Sequence, residues 1–252
     1  MKNYSDYSKA VDLKRLEFIY NTVSEKIPTG GKILEIGCGI GNISRQLGHY
    51  GYFVTGIDSD PVSVDYANSK NTKSNIRFLN VNAEDYADNE NSFDAIICSE
   101  VLEHLVSPDS IIKLANKMLK DDGIFVVTVP NGRGPRELLV TRPVIWIRDN
   151  GGFLFSFLIK IKLLFKFKGE TIHSKSNHLD HINFFTIKHL HQMADNNGFK
   201  IEKIGKGNFL ADVFPVSLIS RLSTKFQEFD CRIAEKLPIA FTSIFFSVWV
   251  KK

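Results

Sequence analysis

The sequence predicts an α/β fold: a seven-stranded, mostly parallel sheet with helices on both faces and a cap built from insertions. Three observations carry this. From Lys32 onward, short apolar runs alternate with segments of helical spacing. The first run ends in a glycine-rich turn, Gly37-Cys38-Gly39-Ile40-Gly41, after which helical spacing resumes at Ile43 and Leu47. The second run ends in an acid, Asp58. Apolar strands without polar alternation are buried on both faces, which is the mark of a parallel sheet covered by helices.

Taken in order, residues 11–23 read as a leading helix. Lys32–Ile36 is the first strand, and Phe53–Asp58 the second. Asp60 followed by Pro61 is a helix start, with an N-cap acceptor and a proline at the first helical position. Ile76–Asn80 is a short third strand and Phe93–Ser99 a strongly apolar fourth. Ser107-Pro108-Asp109 opens a helix that buries Ile111, Leu114, Ala115, Met118 and Leu119. Asp121-Asp122-Gly123 is a turn before a fifth strand at 124–129. A helix over 186–196 closes at Gly198, and strands follow at 200–204 and 244–250.

The 252 residues fit one domain, with its core at about 30–130 and 176–252 and cap insertions at about 131–175 and 211–238. A hydrophobic content of 43% is ample for a core. A net charge of +4 is too mild to argue for nucleic acid. Cys38, Cys98 and Cys231 are odd in number and far apart, so neither a disulfide framework nor a zinc site is expected. The first residues are polar with no apolar core, and no apolar run reaches the roughly 20 residues of a membrane span. A cytoplasmic chain is expected, with any membrane contact peripheral.

The glycine turn has two distinguishing details. Glu35 stands just before it, where a carboxylate would repel a pyrophosphate and attract a cationic amino group. The third glycine is Gly41, and Asn42 fills the place where a dinucleotide fingerprint wants glycine. Asp58, at the tip of the second strand, can accept hydrogen bonds from both hydroxyls of a ribose; read alone, it is also an ordinary turn residue.

The acidic-x-Gly-x-Gly-x-Gly pattern resembles motif I of the class I S-adenosylmethionine-dependent methyltransferases. The resemblance covers about residues 30–206 plus the final strand, and implies a Rossmann-like fold with S-adenosylmethionine as cofactor. Carried over, Glu35, Gly37, Cys38, Gly39, Gly41 and Asn42 would hold the methionine end and Asp58 the ribose. Asn82, Ala83 and Glu84 would meet the adenine, and Ser59 and Ser99 complete the cofactor-binding set. The family often has Asp where Asn82 stands; the change keeps hydrogen-bonding capacity and loses charge.

A second cluster, Ser99-Glu100-Val101-Leu102-Glu103-His104, follows the fourth strand. If the chain turns helical at Glu100, the spacing i, i+3, i+4 puts Glu100, Glu103 and His104 on one face. Two carboxylates and an imidazole can bind a divalent cation or supply a general base. A further partner is expected from the stretch Asn177-His178-Leu179-Asp180-His181-Ile182-Asn183-Phe184-Phe185-Thr186. The pairing is similar to that of ubiquinone-biosynthesis O-methyltransferases and small-RNA 2′-O-methyltransferases. That resemblance implies Glu100, Glu103, His104 and His181 as the catalytic set and as ligands of a Mg2+ or Mn2+ ion. The same motif also occurs in superfamily members without an implied metal, where the glutamates brace the loop and a histidine acts alone. His49, His173, His189 and His191 lack such partners and read as surface residues.

Between the fifth strand and the next helix lies an unusual run. Residues 153–159 are apolar except for Ser156, and Lys160, Lys162, Lys166 and Lys168 then alternate with Ile161, Leu163, Phe165 and Phe167. Residues 153–168 suit a basic amphipathic element on a membrane surface, or a lid over the active site. Val216, Ile219, Leu222, Phe226, Phe229, Ile233 and Leu237 recur at helical spacing and predict a core-packing helix within 212–236.

The expected activity is methylation of a hydroxyl on a hydrophobic, lipid-linked or glycan acceptor, such as a prenylated phenol. An RNA 2′-O-methyltransferase and a non-catalytic S-adenosylmethionine-binding protein are the alternatives. The mild charge and the absence of a separate RNA-binding module argue against RNA.

Overall fold

A computed structural model describes residues 2–86, 89–143, 146 and 181–252. The lysine-rich run 153–168, His173 and residues 177–180 lie outside the described residues.

Seven strands form one sheet: β1 (Lys32–Ile36), β2 (Phe53–Asp58), β3 (Ile76–Asn80), β4 (Phe93–Ser99), β5 (Leu119–Pro130), β6 (Phe199–Lys206) and β7 (Ile244–Lys251). Their order is β3-β2-β1-β4-β5-β7-β6. All neighbours are parallel except β7, which runs antiparallel to β5 and β6. The order reverses beside β1, so a crevice opens beyond the carboxyl ends of β1 and β4.

The two-residue period of the strands sorts the core into two layers. Ala95 and Ile97 of β4 pack with Leu16 of α1 (Ala10–Lys26), Ile43 of α2 (Asn42–His49) and Val64 of α3 (Pro61–Lys70). Ile96 and Cys98 pack on the other face with Ile111 of α4 (Pro108–Met118) and Leu190 of α5 (Ile187–Asn196). Every one of these strand residues is fully buried, which is why β4 shows no polar alternation. The indole of Trp249 donates to Ser247 Oγ at 2.8 Å, and Ser247 donates to the Val127 carbonyl at 2.9 Å. The large buried ring on β7 therefore leaves no donor unpaired.

The helix start predicted at Asp60 forms as expected, whereas Ser107 precedes α4 without a side-chain cap bond. Asp60 caps α3 by accepting from the N–H groups of Val62 and Ser63. Thr186 caps α5 by accepting from His189 N–H, and Gly198, at φ +76, follows its end in the left-handed region. The fifth strand is longer than predicted, because residues 119–123 remain in the sheet. The Asp-Asp-Gly stretch becomes an irregularity within β5, where the register against β4 jumps between Phe93 and Ala95.

The amphipathic run after β6 departs from expectation. It breaks at Ser223 into α6 (Val216–Leu222) and α7 (Thr224–Lys236), since Ser223 caps α7 by accepting from Phe226 N–H. Its apolar stripe is not core. Ile219, Leu222 and Phe229 are 57%, 90% and 56% exposed. What anchors the pair is polar. Buried Asp230 accepts from the N–H groups of Phe209, Leu210 and Ala211 at 2.9, 2.9 and 3.1 Å. Helical spacing reports which side chains align, and here one carboxylate holding three amides decides which side faces inward.

Cys38, Cys98 and Cys231 are buried free thiols. No helix of the described residues is long and apolar enough to cross a membrane.

Asp230→Ala would leave three inward N–H groups without their acceptor. It is expected to destabilise the protein by about 2–4 kcal/mol in urea unfolding. A loss below about 0.5 kcal/mol would mean that the stretch finds other acceptors.

Candidate active site

The glycine turn joins β1 to α2 at the carboxyl edge of the sheet. Two of its glycines are required by geometry. Gly37 has φ +70, and a side chain there would collide with Val101. Gly41 has φ +78, and its Cβ would lie 2.5 Å from Phe78 Cζ. The N–H groups of Gly37 and Cys38 donate to the Ile57 carbonyl at 2.9 and 3.0 Å. Gly39 N–H donates to Asp58 Oδ2 at 2.7 Å, while Asp58 Oδ1 takes Asp60 N–H at 2.9 Å. Asp58 thus clamps the two loops together. A carboxylate has about four acceptor directions, so it retains capacity for two ligand hydroxyls.

Glu35 is 2% exposed beneath the turn and accepts from both the N–H and the hydroxyl of Ser44 in α2. Burial pushes its carboxyl from 4.5 up to about 8, although the Ser44 bonds oppose the shift. Asn42 is committed elsewhere: its Oδ1 accepts from Asp6 N–H at 2.7 Å and from Arg45 at 2.9 Å. The side chain of Cys38 is buried behind the turn and backs onto Gly56. Beyond β3, Asn82 Oδ1 accepts from Glu84 N–H at 3.3 Å, Glu84 accepts from Ser110 at 2.9 Å, and Ala83 packs against the core. Ser59 is exposed beside Asp58. Ser99 shares a hydroxyl–hydroxyl bond of 2.9 Å with Thr128.

The expected helical face of Glu100, Glu103 and His104 does not form. Glu100 takes the left-handed conformation at φ +58, and only Leu102–His104 winds, as a single 3-10 turn. The reversal sends the Glu100 carboxylate toward β5 and α1, where it accepts from Thr128 Oγ1 at 3.0 Å and lies 3.8 Å from Arg15. Glu100 therefore stands apart from the cluster that could hold a cation. Among the described residues that cluster is Glu103, His104 and His181, whose ligand atoms lie within 4.8 Å of one another.

His181 arrives through a backbone stitch. The Glu103 carbonyl accepts from the N–H groups of Ile182 and Asn183 at 2.8 and 3.0 Å. The Asn183 amide then donates to the carbonyls of Leu102 and Leu105. The two imidazoles meet edge to face with centroids 5.2 Å apart. Glu103 is 1% exposed, and burial, reinforced by the charge of Glu100, raises its carboxyl well above the ordinary range. His104 Nε2 lies 3.7 Å from Glu103 Oε1.

Two participants escape a reading of motifs. Arg15 is 8% exposed and lies by Tyr7, Asp12 and Glu100, with a buried Nε that has no hydrogen bond. Its signal was present: it occupies the buried stripe of α1 with Val11 and Ile19. Glu137 sits in a π-helical turn, Glu137–Thr141, fully buried and 3.4 Å from His181 Nδ1. Burial would raise its carboxyl, but His181, Arg136 and Thr141 more than offset this and hold it below the ordinary value. Its only mark in the sequence is being the lone acid between Asn131 and Arg148. A separate cleft, lined by Lys32, Phe53, Arg77 and Phe93, opens at the amino ends of the strands, away from this site.

A family model described as a methyltransferase domain matches residues 10–204. The ubiquinone biosynthesis O-methyltransferases of Glaesserella parasuis and Hydrogenovibrio crunogenus are 35% and 38% identical over 119 residues, or 44% and 46% of this chain. The matches span about half the length of these curated relatives, 50% and 48%. Among solved structures, an S-adenosylmethionine dependent methyltransferase from Mesorhizobium loti aligns with a TM-score of 0.61 at 15% identity, over 95% of this chain and 97% of that one. Magnesium protoporphyrin IX methyltransferase from Synechocystis PCC 6803, with bound SAH, aligns at 0.60 and 14% identity, over 96% and 84%. At these identities the likeness is one of fold.

The buried Glu35 makes stability depend on pH. Between pH 4.5 and about 8 the folded chain holds this proton and the unfolded chain does not, so stability falls as pH rises through that window. Glu35→Gln keeps an acceptor for Ser44 and cannot ionise. In thermal unfolding from pH 5 to 8, wild type is expected to lose stability relative to the variant, on the order of a few kcal/mol. Parallel curves for the two proteins would refute this.

Proposed function

Since the chain belongs to the methyltransferase-domain family, we propose that it is an S-adenosylmethionine-dependent methyltransferase that methylates a hydroxyl on a hydrophobic, lipid-linked or glycan acceptor. The observation that carries this reading is the convergence of His104 and His181 on Glu103 at the end of β4, next to the turn and Asp58. Asp58 has acceptor capacity for the ribose hydroxyls, and the glycine turn would hold the methionine end. An imidazole of the pair takes the proton of the acceptor hydroxyl. The oxygen bonds to the sulfonium methyl carbon in line with the breaking C–S bond, and S-adenosylhomocysteine leaves.

Oxygen as the methylated atom is supported by the O-methyltransferase relatives and by a base of imidazole type. An apolar acceptor is supported by the exposed Val106, Leu139 and Trp146, 91%, 63% and 64% exposed, on the segments that flank the cluster in sequence. Contact of residues 153–168 with an anionic membrane surface belongs to the same reading, on the strength of four lysines and no acid.

A divalent cation also fits. Glu103 brings a buried, unpartnered Oε2, and with His104 and His181 it offers one oxygen and two nitrogens. That donor set suits Mn2+ better than Mg2+, which prefers oxygen throughout. When bound, such an ion would lower the pKa of a coordinated hydroxyl.

Transfer of labelled methyl from S-adenosylmethionine should be measured against a prenylated catechol, a lipid-linked glycan and single-stranded RNA. Labelling of one of the first two is expected, with a loss of about 100-fold or more in His181→Gln. Labelling of RNA alone would sink the acceptor class, and binding without turnover on any of them would favour a scaffold role. In calorimetric titration, Asp58→Ala is expected to weaken S-adenosylmethionine binding at least tenfold, from the loss of about 1.5–3 kcal/mol of charged hydrogen bonding. Unchanged affinity would remove Asp58 from the cofactor site. Co-sedimentation with anionic but not neutral vesicles, weakened by salt, is expected of the full chain; equal binding to both would exclude the lysines as its cause.

A further inference from the structure

Buried polar atoms without a hydrogen bond are few among the described residues, and four of the eight lie in one place. They are Glu103 Oε2, both carboxylate oxygens of Glu137 and His181 Nδ1. Glu137 and His181 come from segments far apart in sequence, and their approach is enforced. Arg142, which follows the π-helical turn, donates to the Gly132 carbonyl at 2.8 Å and stacks over the Phe184 ring at 4.7 Å. Gly132 N–H donates to the Phe185 carbonyl at 2.7 Å. Those contacts pin the turn that bears Glu137 to the irregular segment, residues 181–185, that bears His181. A fully buried carboxylate needs a charged or hydrogen-bonding partner to offset its desolvation. His181 Nδ1 lies 3.4 Å from Oε1, a separation that a small rotation would turn into a hydrogen bond.

We propose that Glu137 is the positioning residue of His181: it accepts the Nδ1–H hydrogen bond and so fixes the tautomer whose Nε2 carries the reactive lone pair. The proposal rests on the reading of His181 as part of the reacting site. In neutral imidazole one nitrogen donates and the other accepts, so a carboxylate at Nδ1 selects Nε2 as the acceptor. As the acceptor oxygen bonds to the methyl carbon and the C–S pair returns to sulfur, Nε2 takes the hydroxyl proton. The Glu137 carboxylate then faces the imidazolium that forms. The same arrangement orients Nε2 when a cation occupies the cluster, because histidine ligands are commonly held by a carboxylate at the other nitrogen. Glu100, which the motif nominates for this neighbourhood, is spent on Thr128 and Arg15. Glu137 provides the second carboxylate instead.

The test is 15N NMR of the full chain labelled at histidine, treated with chelator, with His181 assigned from His181→Gln. Wild type is expected to show His181 as the Nδ1–H tautomer, and Glu137→Leu to move it to the Nε2–H form. Should Glu137→Leu fail to fold, Glu137→Gln, which keeps the volume and removes the charge, is expected to shift the same resonances. S-adenosylmethionine affinity should stay within twofold in the variant, since Asp58 and the glycine turn do not touch Glu137. With an acceptor from the panel above, kcat should fall about 100-fold at constant KM for the cofactor. An Nε2–H tautomer in wild type, or an unchanged His181 signal in both Glu137 variants, overturns the proposal. The NMR result does not depend on turnover. A Glu137-dependent Nδ1–H tautomer in a protein whose His181→Gln variant retains full activity would support the pair and defeat the proposed chemistry.

Discussion

The carbonyl oxygen of Glu103 accepts two backbone N–H groups, from Ile182 and Asn183, and the candidate site depends on that stitch. The stitch joins the loop after β4 to the irregular segment before α5, each of which brings one histidine. With it, and with the Asn183 amide on Leu102 and Leu105, the two imidazoles are held edge to face against a buried carboxylate. These are main-chain and amide bonds, so the pairing does not vary with the protonation of the side chains it positions. Precision at a reacting centre comes from such supports, since a displacement of about 1 Å can cost two orders of magnitude in rate.

Three buried carboxylates surround the crevice, and each is handled differently. Glu35 is held by Ser44 and is pushed up to about 8, so it is protonated in much of the neutral range before a ligand arrives. Glu103 is also raised, by burial and by the charge of Glu100. Glu137 goes the other way, because a histidine and an arginine offset its burial. Neighbouring acids are thereby driven into different protonation states, which is the condition for giving them different tasks. The left-handed Glu100 stores a cost on the order of 1 kcal/mol or more at the same loop, and the Thr128 and Arg15 contacts oppose it.

The helices after β6 show how a polar anchor overrides an apolar pattern. Asp230, buried on α7, satisfies three amides of the loop after β6 and turns its own side of the helix inward. Phe229, one residue earlier, is thereby left outward, as are Ile219 and Leu222 on α6. A hydrophobic stripe measures alignment along a helix. Only the surface it meets decides whether that stripe is buried.

The fold was legible in the sequence, and so was the glycine turn at the carboxyl edge of the sheet. Apolar strand runs, the glycine turn and the cap at Asp60 are set by residues a few positions apart. Local sterics and hydrogen bonds determine such elements, so their order along the chain declares them. The acceptor end was legible only as a list of residues. His104 and His181 were recognisable as candidates, but Glu100 was expected beside them, and a single left-handed residue removed it. Glu137 and Arg15 could not be assigned, because their roles arise from segments distant in sequence: α1 against the loop after β4 for Arg15, and the turn after β5 against His181 for Glu137. Their one trace was a charge where the local pattern did not call for it. Short-range physics writes itself into spacing. The approach of distant segments depends on the whole packed sheet, and the tertiary structure alone decides it.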